Sequence, residues 1–216
     1  MRLTLVTSRS ACWLAVCAVI LATGIAWREL LAARRPQSWR ERCPRANSFA
    51  FPVGDGSATG YYNAQPFGEN THLGDDWNGT GGGDTDLGDP VLSIADGVVS
   101  SAENHGGGWG KVIRVIHDVG PAGAPIHVES LYAHLDSIEV SAGDVVARGQ
   151  RIGTIGDAGG RYPAHLHLEL RDCVGLPLGR GYGTDVQGYL DPTAFILARR
   201  PAPATHPTPP PPNSHP

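Results

Sequence analysis

His165, His167 and Glu169 alternate with Leu166, Leu168 and Leu170. On a strand, residues two apart share a face, so both imidazoles and the carboxylate project one way while the leucines project into a core. Two histidines on one face suit a metal or catalytic site better than a lone histidine does. His72 and Asp76 stand four apart in His72-Leu73-Gly74-Asp75-Asp76. Gly74 and the glycines from Gly79 to Gly83 argue against a helix there, so the pair is expected to converge around a loop or strand end. His134 follows in Tyr132-Ala133-His134-Leu135. Histidine and carboxylate are ordinary zinc ligands, and a catalytic zinc takes three protein ligands and keeps a position open for water. The chain offers more candidates than three ligands require, and the surplus suits the proton transfer and charge stabilisation of a hydrolase.

The acidic string Asp75, Asp76, Asp84, Asp86 and Asp89 gathers hard oxygen ligands of the kind calcium takes. Its spacing does not match an EF-hand loop, and zinc remains the preferred reading; a polar loop is the plain structural one. His105, His117 and His127 have no motif around them and are read as structural or surface residues.

Short strands must position these groups. Asp89 to Ala95 reads as extended, with Asp96-Gly97 turning the chain into Val98-Val99-Ser100. Lys111 to His117 is rich in β-branched residues and reads as a buried strand. His127 to His134 is the next. Val145 to Gln150 and Arg151 to Gly156 are short and punctuated by glycine. Helix signals are few, with one short helix expected over Pro192 to Arg199. The expectation is a mostly β domain, largely antiparallel, over residues 49–199.

The chain has 216 residues, a formal net charge of -4 and a hydrophobic fraction of 41%. That balance lacks the basic excess of a nucleic-acid-binding protein, so no nucleic-acid partner is expected. Residues 1–28 contain an uncharged apolar run, Ala11 to Trp27, flanked by Arg9 and Arg28. It reads as a signal peptide with a Gly24-Ile25-Ala26 cleavage site or as a retained membrane anchor, the latter slightly favoured. Export to the cell envelope, with membrane contact only through this run, is the expectation. Residues 29–48 form an arginine-rich connector, and residues 200–216 a proline-rich disordered tail. After export, Cys43 and Cys173 would share an oxidising compartment. The sequence does not fix whether they pair, nor does it set the oligomeric state.

The motifs, taken in order, resemble the lysostaphin-type or LytM-domain zinc metallopeptidases, which cut peptidoglycan. That family shows H-x-G-x-D, a later Y-x-H-L, a glycine-bounded G-x-x-V-x-x-G-x-x-I-G run, and H-L-H-x-E. This chain carries His72 to Asp76, Tyr132 to Leu135, Gly143 to Gly156, and His165 to Glu169. The resemblance spans about Phe67 to Leu170. It implies a small two-sheet antiparallel β domain of the duplicated hybrid motif type, with the site in a groove between loops. It implies Zn2+ held by His72, Asp76 and His167, with His134 and His165 as the catalytic pair. All five positions are kept, whereas relatives that act only as binding or activating modules have lost some.

Two departures concern the groove. Asn78 to Asp86 lengthens the stretch after the first motif, and Asp157 to Ala164 alters the approach to the last. The implied activity is that of an exported zinc endopeptidase acting on peptidoglycan stem peptides or cross-links. Its rivals are a catalytically silent cell-wall-binding or hydrolase-activating module and a zinc protease of glycine-rich proteins. Glu169 is a candidate hydrogen-bond partner for a ligand imidazole, or else an exposed strand carboxylate.

Overall fold

The computed structural model describes residues 38–201. The β-branched segments pair as expected. Strands β1 (Tyr61–Gln65), β2 (Asp75–Gly79), β3 (Pro90–Leu92), β4 (Gly97–Gly106), β5 (Gly110–Asp118) and β6 (His127–Leu135) come first. Then follow β7 (Ser137–Ile138), β8 (Val145–Val146), β9 (Arg151–Thr154), β10 (Leu166–Arg171) and β11 (Tyr189–Leu190). Short helices α1 (Trp39–Arg42) and α2 (Pro192–Arg199) bracket them.

The large sheet runs β1-β2-β10-β6-β5-β4-β8, with β11 added to β10, and the small one runs β3-β9-β7. Every strand pair among the described residues is antiparallel. This is the two-sheet antiparallel β domain expected.

The core lies between the sheets. Val91 and Ile152 enter it from the small sheet; Val99, Val115, Tyr132 and Leu168 enter it from the large one. Leu166, Leu168 and Leu170 are all fully buried there, so the leucine face of the alternating segment sits where its pattern put it. The opposite face of β10 is buried as well. Glu169 and Arg171 have no exposed surface, because β10 is an inner strand covered on both sides.

Helix α2 starts at the Asp191 carboxylate, which accepts the Ala194 N–H at 2.9 Å, with Pro192 in the first turn. Ile196 anchors it in the core. At the other end, α1 and the residues after it are fastened to the sheet. Arg45 bridges to Asp118, and the Ala46 N–H donates to the Asp118 carbonyl at 2.7 Å.

Two expectations meet the structure here. Cys43 and Cys173 are both free. The Cys43 thiol instead donates to the Ile116 carbonyl at 3.4 Å, and burial pushes its pKa up to about 11. The expected membrane contact is corrected: among the described residues no helix is long and apolar enough to cross a membrane. The apolar run itself, like the tail beyond Pro201, lies outside the described residues.

Candidate metal centre and active site

Strand register brings the first three groups together. His167 on β10 lies directly opposite Asp76 on β2. His72 precedes β2 and forms an isolated bridge with Tyr182. Its Nε2 sits 3.0 Å from His167 Nδ1 and 3.4 Å from Asp76 Oδ1, and His167 Nδ1 is 2.9 Å from that same oxygen. Ligand atoms about 2.1 Å from a tetrahedral zinc stand roughly 3.4 Å apart, so the cluster needs only slight opening to take an ion. Gly74 explains its own place in the motif. A Cβ there would lie 2.5 Å from the Leu168 carbonyl oxygen and 3.0 Å from His167 Cε1.

The far side of each imidazole is also specified. His72 Nδ1 is 3.0 Å from the Gln65 carbonyl, an acceptor, so the ring hydrogen sits on Nδ1 and Nε2 presents its lone pair to the cluster. His167 Nε2 is 3.2 Å from Glu169 Oε1. Glu169 Oε2 accepts from Arg171 Nε at 2.9 Å, and the buried guanidinium also donates to the Leu176 and Leu178 carbonyls. Sequence reasoning left Glu169 open and missed Arg171. Its alternation with Glu169 and His167 was the available signal.

Charge runs the same way. Burial holds His72 below the ordinary histidine range, against the pull of Asp76. Burial also works to raise the Asp76 carboxyl, but hydrogen bonding and charge from His167 outweigh it and hold the carboxyl low. For His167, burial is outweighed by hydrogen bonds to Asp76 and Glu169, which raise it to about 9. A ring flanked by two carboxylates demands positive charge. An ion replacing the proton on Nδ1 meets that demand and leaves Nε2–H on Glu169. The donor set therefore fits a metal such as zinc.

His134 and His165 stand beside this cluster, their ring centroids 4.7 Å apart. His165 Nδ1 donates to the Pro163 carbonyl at 2.9 Å, and its Nε2 lies 3.8 Å from Asp76 Oδ1. His134 has φ 64°, unusual for a residue with a side chain. It sits in a β-bulge where the β5 partners step from Lys111 to Ile113 while those on β6 step from Leu135 to Tyr132. Burial, reinforced by His167 and His165, lowers its pKa to about 3, so the ring is neutral at pH 7.

A groove of about 530 Å³ opens over these groups. Trp109, Tyr162, Tyr182, Gln65 and Arg180 are among its walls. Tyr162 belongs to the Asp157 to Ala164 segment expected at the groove; Trp109, Tyr182, Gln65 and Arg180 were not read from the sequence. A tryptophan between Gly107-Gly108 and Gly110, and the Gly179-Arg180-Gly181 run, were the signals available. Trp109 supports His134 twice over: its carbonyl accepts the His134 N–H at 3.0 Å, and its ring stacks at 6.4 Å.

The inserted Asn78 to Asp86 segment does not line the groove. It holds the approach to β10 instead. Asp84 accepts the Ala164 N–H at 2.8 Å, and Asn78 donates to the Ala164 carbonyl at 3.2 Å, one residue before His165. The other acids have local partners: Asp75 accepts from Phe67 N and Thr193 Oγ1, and Asp86 from Gly79 N. Of the remaining histidines, His117 is in the core, His127 packs edge-on against Trp39, and His105 is exposed.

Comparison with known proteins gives a consistent picture. Residues 77–181 match the sequence model of Peptidase family M23. The chain is 38% identical to the cell division protein DipM of Caulobacter vibrioides over 84 residues, 39% of this chain and 13% of the relative. It is 33% identical to an uncharacterized metalloprotease of Haemophilus influenzae over 82 residues, 38% of this chain and 16% of that one. It thus spans less than a fifth of the length of either relative. Among solved structures, the SpoIIQ–SpoIIIAH pore forming complex matches with a TM-score of 0.50 and 19% identity, covering 70% of this chain and 92% of that one. That is a likeness of fold alone.

Proposed function

On the premise that this domain has the M23/LytM-family zinc metallopeptidase fold with a metal-binding triad, we propose that it is a zinc-dependent endopeptidase hydrolysing peptide bonds of bacterial peptidoglycan. The observation that carries this is the convergence of His72 Nε2, Asp76 Oδ1 and His167 Nδ1 beneath an open groove, with a histidine pair alongside. Its place of work is the cell envelope or the exterior, as an envelope-associated or secreted enzyme.

His72, Asp76 and His167 would hold the ion. When bound, zinc polarises a scissile carbonyl and brings the pKa of a bound water toward neutrality. The remaining chemistry belongs to the chain. His165 keeps Nδ1–H on the Pro163 carbonyl, which orients the ring and leaves the Nε2 lone pair to receive a proton from the attacking water. Neutral His134 finds no partner for its buried Nδ1. This favours the tautomer with hydrogen on Nε2, a donor for the oxygen on which charge develops. Glu169 and Arg171 fix the orientation of His167.

The test is digestion of purified peptidoglycan by zinc-loaded protein, with mass analysis of the released fragments. Release of fragments with newly formed peptide termini, abolished by a chelator and restored by zinc, is expected. An intact sacculus after digestion at full zinc occupancy would overturn the assignment.

A further inference from the structure

We propose that Arg180 reads a carboxylate on the substrate, so that the groove prefers peptides carrying a free carboxylate beside the scissile bond over uncharged glycine-rich peptides. The proposal rests on the peptidase reading above and names the substrate class of that site.

The charge inventory of the groove is one-sided. Asp76 is the only carboxylate among its described lining residues, and it belongs to the metal triad. A divalent ion on that triad leaves one net positive charge, and Arg180 adds a second on the rim. Gln65, Trp109, Tyr162 and Tyr182 are neutral walls. A cleft lined by one sign of charge concentrates ligands of the other.

The position of Arg180 is built by its neighbours. Gly179 and Gly181 take φ of 72° and 76°, left-handed backbone on both sides of it that glycine adopts without strain. Each side is then tied down. The Trp109 indole N–H donates to the Gly179 carbonyl at 3.2 Å, and the Leu73 N–H donates to the Gly181 carbonyl at 2.9 Å. Gly183 N–H donates to the Thr71 carbonyl at 2.9 Å, and the Tyr182 hydroxyl to Gln65 Oε1 at 3.0 Å. The loop that bears Arg180 is thus clamped to Trp109, which supports His134, and to the segment that bears His72.

The guanidinium itself is unspent. Among the described residues no carboxylate lies within 4.0 Å of it and no hydrogen bond engages it. Arg114, Arg151 and Arg171, by contrast, are each paired with a glutamate. A planar fork of donors on a loop whose backbone is clamped at the groove matches a carboxylate bidentately and has nothing to recognise in an unsubstituted glycine chain.

Two peptides of identical sequence, one with a free carboxylate next to the scissile bond and one with a carboxamide, make the test. Zinc-loaded wild type is expected to favour the carboxylate by about tenfold in kcat/KM, through KM, the size of one partly exposed charge-assisted contact. Arg180→Gln should bring the two peptides level, and Arg180→Glu should reverse their order. Equal rates in wild type, or a preference that survives Arg180→Gln, would overturn the proposal. If neither peptide is cut, the peptidase reading fails on its own. Calorimetric titration of the same peptides then decides the role of Arg180. Tighter binding of the carboxylate by wild type but not by Arg180→Gln supports it; equal or absent binding defeats it.

Discussion

Tyr132 and His134 are two residues apart on one strand yet serve opposite sides of the large sheet. Tyr132 points into the core, where its hydroxyl accepts the Ile94 N–H at 2.9 Å. Strict alternation would send His134 after it. The bulge and the left-handed backbone at His134 turn the imidazole to the other side, beside His165 and His167. Strained backbone of this kind persists where the surroundings over-determine it. Here the Trp109 carbonyl holds the His134 N–H, and Gly156 lets the chain pass where a Cβ would lie 2.3 Å from the His134 carbonyl oxygen.

That strain has a measurable sign. His134→Gly should be more stable than His134→Ala by about 1 kcal/mol, because glycine takes φ near 64° without a Cβ clash. Both variants should keep bound zinc and lose turnover by ~10²–10⁴-fold. Chemical denaturation, metal analysis and hydrolysis of one verified substrate check the three parts. Equal midpoints for Gly and Ala would show that the left-handed conformation carries no strain.

The triad predicts a different phenotype for its own members. His72→Ala and Asp76→Ala each remove one of three converging atoms, and most bound metal should go with them. Zinc retained at wild-type stoichiometry by both variants would refute the ligand set.

Glu169 joins the metal cluster to a buried cation. Glu169→Gln should weaken zinc affinity by about 10–100-fold, because a neutral amide supports the His167 ring less well than a carboxylate does. It should also cost several kcal/mol of stability, since Arg171, with no exposed surface, loses its counter-charge. Competition with a chromophoric chelator and thermal unfolding report the two effects. Wild-type affinity in this variant would mean that Glu169 is structural only.

His117 sets an acid limit on stability. Its Nδ1–H donates to the Asp96 carbonyl at 2.9 Å, and its Nε2 accepts from the Ser130 hydroxyl at 2.8 Å. Burial keeps the ring neutral, with a pKa of about 4 in the folded state. The unfolded chain takes up this proton near the ordinary pKa of about 6.5. Between those values the unfolded state binds more protons, so stability falls as pH drops from 6.5 toward 4, by up to ~1.4 kcal/mol per pH unit. His117→Gln should flatten the dependence by one proton's share. Parallel stability–pH curves for variant and wild type in that window would contradict the assignment.

The sequence by itself carried the chemistry and the class of fold. Period-two alternation at Leu166, Leu168 and Leu170 marked a strand with one face in a core, and the β-branched run Lys111 to His117 marked another. The order of His72, Asp76, His134, His165 and His167 matched the motifs of the resembled family, and that resemblance implied the proposed site roles. Of these five, strand period, a local property, placed only His165 and His167 on one face. What local patterns could not carry was decided by pairing and packing. The register of β10 against β2 set His167 opposite Asp76. The inner position of β10 buried Glu169, which alternation assigned to a polar face, and with it Arg171, which the sequence reading missed. A bulge overrode the face that His134 would otherwise have taken. Trp109 and Arg180 became groove walls only when loops far apart in the chain met at Trp109–Gly179 and Leu73–Gly181. Such contacts depend on how strands are ordered in space, and that order is a property of the whole chain's packing.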